Sequence, residues 1–305
     1  MKHFIDLNEV SAAEISELLE LAFELKKKRK NGVDYKPLTG KVLAMIFTKS
    51  STRTRASFEA GMYQLGGYPM VMNAADLQIG RGEPVRDTAR VLSRYADAIM
   101  IRTYAHEDVE GLARYGSIPV INGLTDDVHP CQILADLMTI IEYKERLKGI
   151  KLAYIGDGNN VANTLLQACP KMGMDIAIAT PVKYECKKKY TDQAYAAAAS
   201  TGASVSVGND PVKAINGADV VYTDTWVSMG NEADSDERVS HFRGYEVDAK
   251  LMAHAKPDAI FLHCLPAYRG MEVSDEVIES PASVVFDEAE NRLHSQKAIL
   301  VKLLG

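Results

Sequence analysis

The sequence lacks the features of a membrane-inserted, secreted or nucleic-acid-binding protein. No apolar run among its 305 residues reaches the length that crosses a bilayer. Residues 1–23 contain neither an uninterrupted apolar core nor a cleavage site, so we do not expect a secretory signal. The 35 basic and 41 acidic residues give a formal net charge of −6, which favours no nucleic-acid partner.

The sequence has only four cysteines, at Cys131, Cys169, Cys186 and Cys264. None has CxxC spacing, so we expect neither a zinc site nor disulfides, and we expect a reducing compartment. The composition, 47% hydrophobic and 25% charged without a low-complexity tract, is that of a globular protein. The length suits two domains better than one core, which predicts a cytoplasmic two-domain protein.

A polar segment between a predicted strand and a predicted helix has the composition of an anion site. The apolar run Val42–Phe47 predicts a buried parallel strand, and the apolar spacing over residues 56–65 predicts one face of a helix. Between them stands Ser51-Thr52-Arg53-Thr54-Arg55. Unpaired N–H groups and the helix dipole attract anions there, which favours phosphate. The alternative is an ordinary N-cap with two solvated arginines, but this segment exceeds what a cap needs.

Other polar groups follow the next predicted strands, at residues 98–101 and 118–121. Arg102 ends the first, and His129-Pro130-Cys131-Gln132 follows the second. Ligands of open α/β sheets bind outside the carboxyl ends of the strands. We therefore expect the Ser51–Arg55 turn, Arg102 and the His129 segment to share one edge. A His-Pro pair alone is more typical of a capped helix start.

The second half opens with a glycine-rich loop, residues 156–161, after a predicted strand. The loop resembles a dinucleotide fingerprint, but Val161 occupies the position of the third glycine. The next strand is predicted over residues 176–179, and Thr180-Pro181 follows it in place of an acidic residue that could hold a ribose. We therefore expect no nicotinamide cofactor, and Asn160 remains available for a smaller ligand.

Two later strands end in reactive groups. Asp224 follows a strand predicted over residues 219–223, where its carboxylate either pairs with an ammonium group or caps the next helix. His263 and Cys264 follow a strand predicted over residues 260–262. The thiol is either a small buried apolar group or a partly ionised reactive one.

The alternation of strands and helices predicts an α/β fold of two doubly wound parallel-sheet lobes joined by interdomain helices. We expect the first lobe over residues 1–146 and the second over residues 147–286. The last helix, within residues 287–305, is expected to return to the first lobe.

Four motifs, taken in order, resemble those of the aspartate/ornithine carbamoyltransferase family. They are Ser51-Thr52-Arg53-Thr54-Arg55, His129-Pro130-Cys131-Gln132, Asp224 with Ser228-Met229-Gly230, and His263-Cys264-Leu265-Pro266. The resemblance runs from the first helix to residues 291–294, which is nearly the whole chain. The first two motifs are shared across the family, and the last two favour ornithine over aspartate or putrescine as acceptor.

The resemblance implies two substrate sites. Carbamoyl phosphate would be bound by Ser51, Thr52, Arg53, Thr54, Gln78, Arg102, His129, Gln132, Cys264, Leu265 and Arg292. Ornithine would be bound by Asn160, Asp224, Ser228 and Met229. Catalytic roles would belong to Cys264, Arg102, His129 and Arg292. The resemblance also implies a homotrimer or a multiple of trimers, in which Gln78 serves a neighbouring subunit.

The implied reaction transfers the carbamoyl group to the side-chain amine of L-ornithine, giving L-citrulline and phosphate. We expect neither a metal nor an organic cofactor, because the leaving group is already activated. The alternatives are transfer to putrescine or acetylornithine, a non-catalytic two-lobed binding protein, and a nucleotide-dependent oxidoreductase, which Val161 disfavours. Arginine biosynthesis and the reverse, catabolic direction are both compatible with the sequence.

Overall fold

The computed structural model describes residues 1–73, 77–78, 82–227 and 235–305. These residues form two compact units, residues 1–138 with 290–305 and residues 139–289. Two helices run across the boundaries between the units, α5 (Pro130–Lys144) and α12 (Val285–Leu304). The last helix therefore begins in the second unit and ends in the first.

Within the described part of the first unit, four parallel strands form a sheet in the order β2-β1-β3-β4. The strands are β1 (Val42–Phe47), β2 (Tyr68–Asn73), β3 (Ala98–Arg102) and β4 (Val120–Leu124). The accompanying helices are α1 (Ala12–Lys30), α2 (Thr52–Gln64), α3 (Val85–Leu92) and α4 (His106–Tyr115). The strands β3 and β4 are buried along their whole length, as expected for a parallel sheet covered on both faces.

The strand predicted over residues 118–121 was placed wrongly, because β4 spans Val120–Leu124. An Asn-Gly pair such as Asn122-Gly123 is typical of a turn. Hydrogen bonds to the N-terminal segment instead keep Asn122 in the strand. Asn122 N donates to Phe4 O at 2.8 Å, and its side-chain amide donates to Ile5 O at 3.0 Å. A Cβ on Gly123 would lie 2.7 Å from Met100 Sδ, so glycine here allows close packing against β3.

The described second unit contains a five-stranded parallel sheet in the order β7-β6-β5-β8-β9. Its strands are β5 (Lys151–Ile155), β6 (Asp175–Ala179), β7 (Val205–Gly208), β8 (Val220–Thr223) and β9 (Ile260–Leu262). Its helices are α6 (Asn160–Lys171), α7 (Lys188–Thr201), α8 (Pro211–Ile215), α9 (Ser235–His241), α10 (Ala249–Met252) and α11 (Asp275–Ile278). Trp226, Phe242 and Tyr245 join the apolar cluster that covers one face of this sheet.

The predicted fold class is confirmed, since each unit has a parallel sheet with helices. Among the described residues, no helix combines the length and apolar character that crossing a membrane requires.

Candidate active site

In the first unit, the predicted anion-binding residues stand where the parallel strands end. Ser51 is the N-cap of α2, and its hydroxyl accepts a hydrogen bond from Thr54 N at 3.1 Å. Arg102 is the last residue of β3, and its carbonyl accepts from Thr48 N at 2.9 Å, which ties β3 to the segment after β1. His129 directly precedes α5. The carboxyl ends of parallel strands share one edge, so these groups face a common region.

Arg292 joins three distant segments of the first unit through one buried guanidinium. Its Nη2 donates to Thr54 Oγ1 at 3.0 Å, and its Nη1 donates to Gln132 Oε1 at 2.5 Å. The Gln132 amide in turn donates to Asp136 Oδ1 at 2.8 Å. Arg292 is only 2% exposed, so its position is fixed by these contacts and by packing.

Three arginines act electrostatically on one buried imidazole, that of His129. Burial first, and then the neighbouring cations, hold the pKa of His129 well below its ordinary value. The cations are Arg292, Arg102 and Arg53. Three guanidiniums near a neutral imidazole form a cationic cluster that suits a compact dianion such as a phosphate. The sequence prediction that these residues meet at one edge agrees with this arrangement.

In the second unit, Asp224 at the end of β8 receives hydrogen bonds from two other predicted segments. Its Oδ2 accepts from Asn159 Nδ2 at 2.7 Å, and its Oδ1 accepts from the Cys264 thiol at 3.0 Å. The same Oδ1 accepts from Thr225 N at 2.8 Å. The carboxylate is buried, and a buried carboxylate at a strand end can pair with an ammonium group.

His263 and Glu272, both fully buried, hold the backbone that follows Cys264. The Nδ1 atom of His263 accepts from Leu265 N at 2.9 Å, and Nε2 lies 3.2 Å from Glu272 Oε1. Since Nδ1 accepts, the ring proton is on Nε2 and is donated to the carboxylate. Leu265 has φ of +57°, a conformation that costs non-glycine residues of order 1–3 kcal/mol. The His263–Glu272 pair therefore stabilises an otherwise unfavourable turn.

Asp224, His263 and Cys264 also have the composition of a metal-ligand set, and their ligand atoms lie within 4.8 Å of one another. Both ring nitrogens of His263 are already hydrogen-bonded to Leu265 and Glu272. Metal binding by the imidazole would break one of these bonds, so we assign the cluster to hydrogen bonding.

In the glycine-rich loop of the second unit, close packing requires a glycine at Gly158. A Cβ on Gly158 would lie 2.4 Å from the backbone of Cys186, and Gly158 N donates to Tyr184 O at 2.8 Å. Glycine is required because another chain segment passes against it. This close packing accounts for one of the two glycines of the loop.

Gln78, Asn160, Ser228 and Met229 are further residues of the predicted sites. Ser228 and Met229 lie outside the described residues. Gln78 is exposed, and its carbonyl accepts from Glu83 N at 3.0 Å. Asn160 is the first residue of α6, and its carbonyl accepts from Thr164 Oγ1 at 2.6 Å.

Sequence reasoning missed several residues of the second cluster. Asn159, the N-cap of α6, contacts Asp224, and Asn before a helix is a recognisable cap signal. Asp157 forms an ion pair with Arg238, and burial is the main cause that raises the pKa of Asp157 to about 7. Glu272 had no local signal in the sequence, because its partner His263 is fixed only by the fold.

Comparison with known proteins extends over nearly the whole chain. The family model described as "Aspartate/ornithine carbamoyltransferase, carbamoyl-P binding domain" matches residues 2–142. The model described as "Aspartate/ornithine carbamoyltransferase, Asp/Orn binding domain" matches residues 148–303. The chain belongs to the aspartate/ornithine carbamoyltransferase family. The predicted family resemblance is thereby confirmed.

Similar members of this family are known from sequence and from solved structures. Ornithine carbamoyltransferase of Caldicellulosiruptor saccharolyticus is 58% identical over 301 residues, 99% of this chain and 98% of that protein. The one of Carboxydothermus hydrogenoformans is 57% identical, covering 100% of this chain and 98% of that protein. The solved structure of ornithine carbamoyltransferase from Pyrococcus furiosus superposes with a TM-score of 0.97 at 54% identity, covering 100% of this chain and 97% of that chain.

The electrostatics around His129 lead to a prediction for its protonation. In the ligand-free protein we expect its imidazole to stay neutral between about pH 8 and about pH 6, where a free histidine titrates. The folded pKa is lowered, so the unfolded chain binds a proton that the folded one does not. Stability from this group is therefore present above pH 6.5 and falls as the pH drops below it.

NMR of the histidine ring, assigned by comparison with a His129→Gln variant, measures this directly. A ring that titrates with a midpoint near pH 6.5 would contradict the convergence of charges described above. Urea unfolding of both proteins at two pH values gives the second measurement. The wild type should lose more stability on acidification than His129→Gln.

A second prediction concerns the support of the Leu265 turn. Replacing Glu272 by Ala leaves the buried ring N–H of His263 without its acceptor, which costs about 1–3 kcal/mol of unfolding free energy. Glu272→Gln keeps an acceptor oxygen and should recover part of the loss. Glu276→Ala, an exposed acid on α11, is the matched control and should change stability by less than about 0.5 kcal/mol. Equal stabilities of the Glu272→Ala and Glu276→Ala variants in urea unfolding would show that the pair does not support the turn.

Proposed function

We propose that this protein is an ornithine carbamoyltransferase, which converts carbamoyl phosphate and L-ornithine into L-citrulline and phosphate. The observation that carries the proposal is the convergence of Arg53, Arg102 and Arg292 on a buried neutral His129. The full-length relatives named ornithine carbamoyltransferase support the choice of acceptor. The first unit is then the carbamoyl-phosphate domain, and the second is the ornithine domain.

The phosphate of carbamoyl phosphate is bound at the start of α2. Backbone N–H groups of Ser51, Thr52, Arg53 and Thr54 and the positive end of the helix dipole face a dianion there. The guanidinium of Arg53 adds a charge-assisted hydrogen bond, which is stronger than a neutral one. Dianion binding should raise the pKa of His129, because it offsets the surrounding positive charge.

The carbamoyl group is held by the remaining residues of the cluster. Arg102 and His129 bind the carbonyl end, and the neutral imidazole can donate one hydrogen bond without adding charge. Thr54 and Arg292 are already fixed to each other, so their donors need little reorganisation when negative charge develops on the carbonyl oxygen. Gln132 keeps Arg292 in this orientation.

The second domain binds the acceptor. Asp224 pairs with the α-ammonium group, while Asn160 and the Ser228-Met229 backbone donate to the α-carboxylate. Cys264 and the Leu265 carbonyl receive the side-chain amine. Their position depends on the His263–Glu272 pair, which holds the turn from inside the unit.

The reaction is a nucleophilic acyl substitution. The ornithine side-chain amine, like that of lysine, is protonated at neutral pH and must lose a proton before it attacks. Its lone pair forms the new C–N bond, and the carbonyl oxygen becomes an oxyanion that the fixed donors stabilise. Collapse of the intermediate breaks the bond to phosphate, and the second proton of the nitrogen leaves with that phosphate. Holding both substrates in the reactive orientation supplies much of the acceleration.

The proposed assembly is a homotrimer or a multiple of trimers, in which Gln78 completes a neighbouring site. Mixing tests this at carbamoyl phosphate concentrations well below KM, where Gln78→Ala chains and Arg53→Ala chains should each have little activity alone. The two should regain activity when unfolded and refolded together. Random pairing makes about a quarter of the shared sites fully wild type, so about that fraction of activity should return. Activity of the mixture no higher than the average of the two variants would place Gln78 in its own chain's site.

We propose the cytoplasm as its compartment and citrulline formation as its direction. Its four cysteines are free, which fits a reducing environment. Carbamoyl phosphate is an activated donor, so transfer toward citrulline is the downhill direction.

The deciding experiment is a turnover screen of the purified protein with carbamoyl phosphate and four acceptors. Citrulline formation from ornithine should far exceed carbamoylation of putrescine, acetylornithine and aspartate. Arg53→Ala, purified in the same way, controls for a contaminating host enzyme. Preference for any other acceptor, or no transfer at all, would overturn the proposed activity.

A further inference from the structure

A second cationic cleft lies in the first unit, away from the predicted phosphate site. Its volume is about 530 Å³, and the end of α1, the following loop, the end of α2 and Lys297 of α12 line it. The side chains that matter here are Lys28, Arg29, Lys36, Lys297, Tyr35 and Tyr63. Four cations face a single lining acid, Asp34, in a protein whose net charge is −6.

Two of these four cations already have carboxylate partners. Lys28 pairs with Glu24 at 2.6 Å and lies 3.8 Å from the ring centre of Tyr35. Lys36 pairs with Asp34 at 2.9 Å. These exposed pairs leave Lys297 and Arg29 as the cations of the cleft that have no ion pair within the described part of the chain.

Lys297 is the unusual member because its charge is buried. Its side chain is 4% exposed, and its Nζ donates to the neutral Gln64 Oε1 at 3.2 Å. Burial first and then Arg29 lower the pKa of the Lys297 amine to about 8. A buried charge is costly unless a counter-ion and hydrogen bonds compensate for it. An amide oxygen supplies the hydrogen bond without the negative charge.

We propose that this cleft is a binding site for a small organic phosphate. The phosphate would contact Lys297 and Arg29, and the organic part would lie against Tyr35 and Tyr63. The cleft volume falls in the usual range for pockets that hold small organic ligands, about 300–1,000 Å³. The tyrosine rings give the organic part a flat apolar surface that a bare inorganic ion would not need.

The cleft is separate from the predicted carbamoyl-phosphate site. The latter involves Thr54 near the start of α2, whereas Gln64 is the last residue of that helix. Ten residues separate them, or about 15 Å along the helix axis. Binding at the cleft can therefore be measured independently of catalysis.

The test is isothermal titration calorimetry on the Arg53→Ala protein, in which the carbamoyl-phosphate site is weakened. Adenosine monophosphate, inorganic phosphate and citrate are titrated separately at about pH 8, where the Lys297 amine is partly deprotonated. We expect adenosine monophosphate to bind at one site per chain and to bind more tightly than inorganic phosphate or citrate. Buffers of different ionisation enthalpy should reveal proton uptake on binding, because a bound anion raises the pKa of the amine.

Three further variants, each made in the Arg53→Ala protein, test whether the charge of Lys297 is needed for binding. Lys297→Met should weaken binding by about ten- to a hundredfold, the loss expected for a charge-assisted contact. Lys297→Arg should retain binding without proton uptake, which separates loss of charge from loss of folding. Lys188→Met, an exposed lysine of the second unit, should bind like the parent. The proposal fails if adenosine monophosphate does not bind or if Lys297→Met binds it as tightly as the parent does. It also fails if citrate binds as tightly as adenosine monophosphate.

Discussion

Ornithine should be carbamoylated with a specificity constant about 10⁴-fold higher than that for putrescine. Putrescine differs from ornithine only by the missing α-carboxylate. A pocket that hydrogen-bonds this group rejects an analogue without it, since its own buried polar atoms lose their partners. Steady-state kinetics with both amines at saturating carbamoyl phosphate measure the ratio.

The ornithine site gives this prediction two internal tests. Asp224→Asn keeps the shape of the side chain but removes the charge proposed to pair with the α-ammonium, so the KM for ornithine should rise most. Cys264→Ala should instead lower kcat and shift its pH dependence, because the thiol is proposed to contact the reacting amine. Asp192→Asn, an exposed acid paired with Lys188, is the control and should leave both parameters unchanged.

Comparable specificity constants for ornithine and putrescine would exclude ornithine as the selected acceptor. The proposed phosphate site would be unaffected by that result, since Arg53, Arg102 and Arg292 belong to the other unit. The two halves of the proposed function are therefore tested by separate experiments.

The sheets could be predicted where local pattern and final environment agree. Val42–Phe47 is an apolar run bounded by polar residues, and it forms β1 over that same range. β7 was missed because Val205–Gly208 is short and only partly buried. The predicted end of β4, at residue 121, was too early because tertiary contacts hold Asn122 and Gly123 in the strand despite their preference for turns.

The candidate site could be predicted only as far as strand ends locate it. The rule that ligands bind at the carboxyl ends of parallel strands correctly grouped Ser51, Arg102 and His129. Arg292 is 238 positions from its partner Thr54, so no local pattern reports the contact, and only the family resemblance suggested it. The contact of Glu272 with His263 could not be predicted for the same reason.

Arg53→Ala should lower kcat/KM for carbamoyl phosphate by one to two decades. A charge-assisted contact of this kind contributes about 1.5–3 kcal/mol, and the dianion has its charge concentrated where Arg53 is proposed to bind. Most of the effect should appear as a higher KM for carbamoyl phosphate, with a smaller loss of turnover. Initial rates at varied carbamoyl phosphate and saturating ornithine give both parameters.

The neighbouring arginine provides a matched control. Arg55 is exposed and forms an i,i+4 pair with Glu59 at 3.2 Å, a surface interaction worth about 0–1 kcal/mol. Arg55→Ala removes the same charge from the same helix, yet kcat/KM should stay within about threefold of wild type. Equal losses in the two variants would mean that the net charge of the helix start matters, rather than one placed guanidinium.

An independent measurement separates this electrostatic role from a change of fold. Arg53 is one of the three cations that lower the pKa of His129, so its removal should raise that pKa, while Arg55→Ala should not. Ring NMR of the two variants without ligand measures the difference. If Arg53→Ala reduced activity while the His129 titration stayed as in wild type, Arg53 would not belong to the charge cluster. The cations around His129 would then be Arg102 and Arg292.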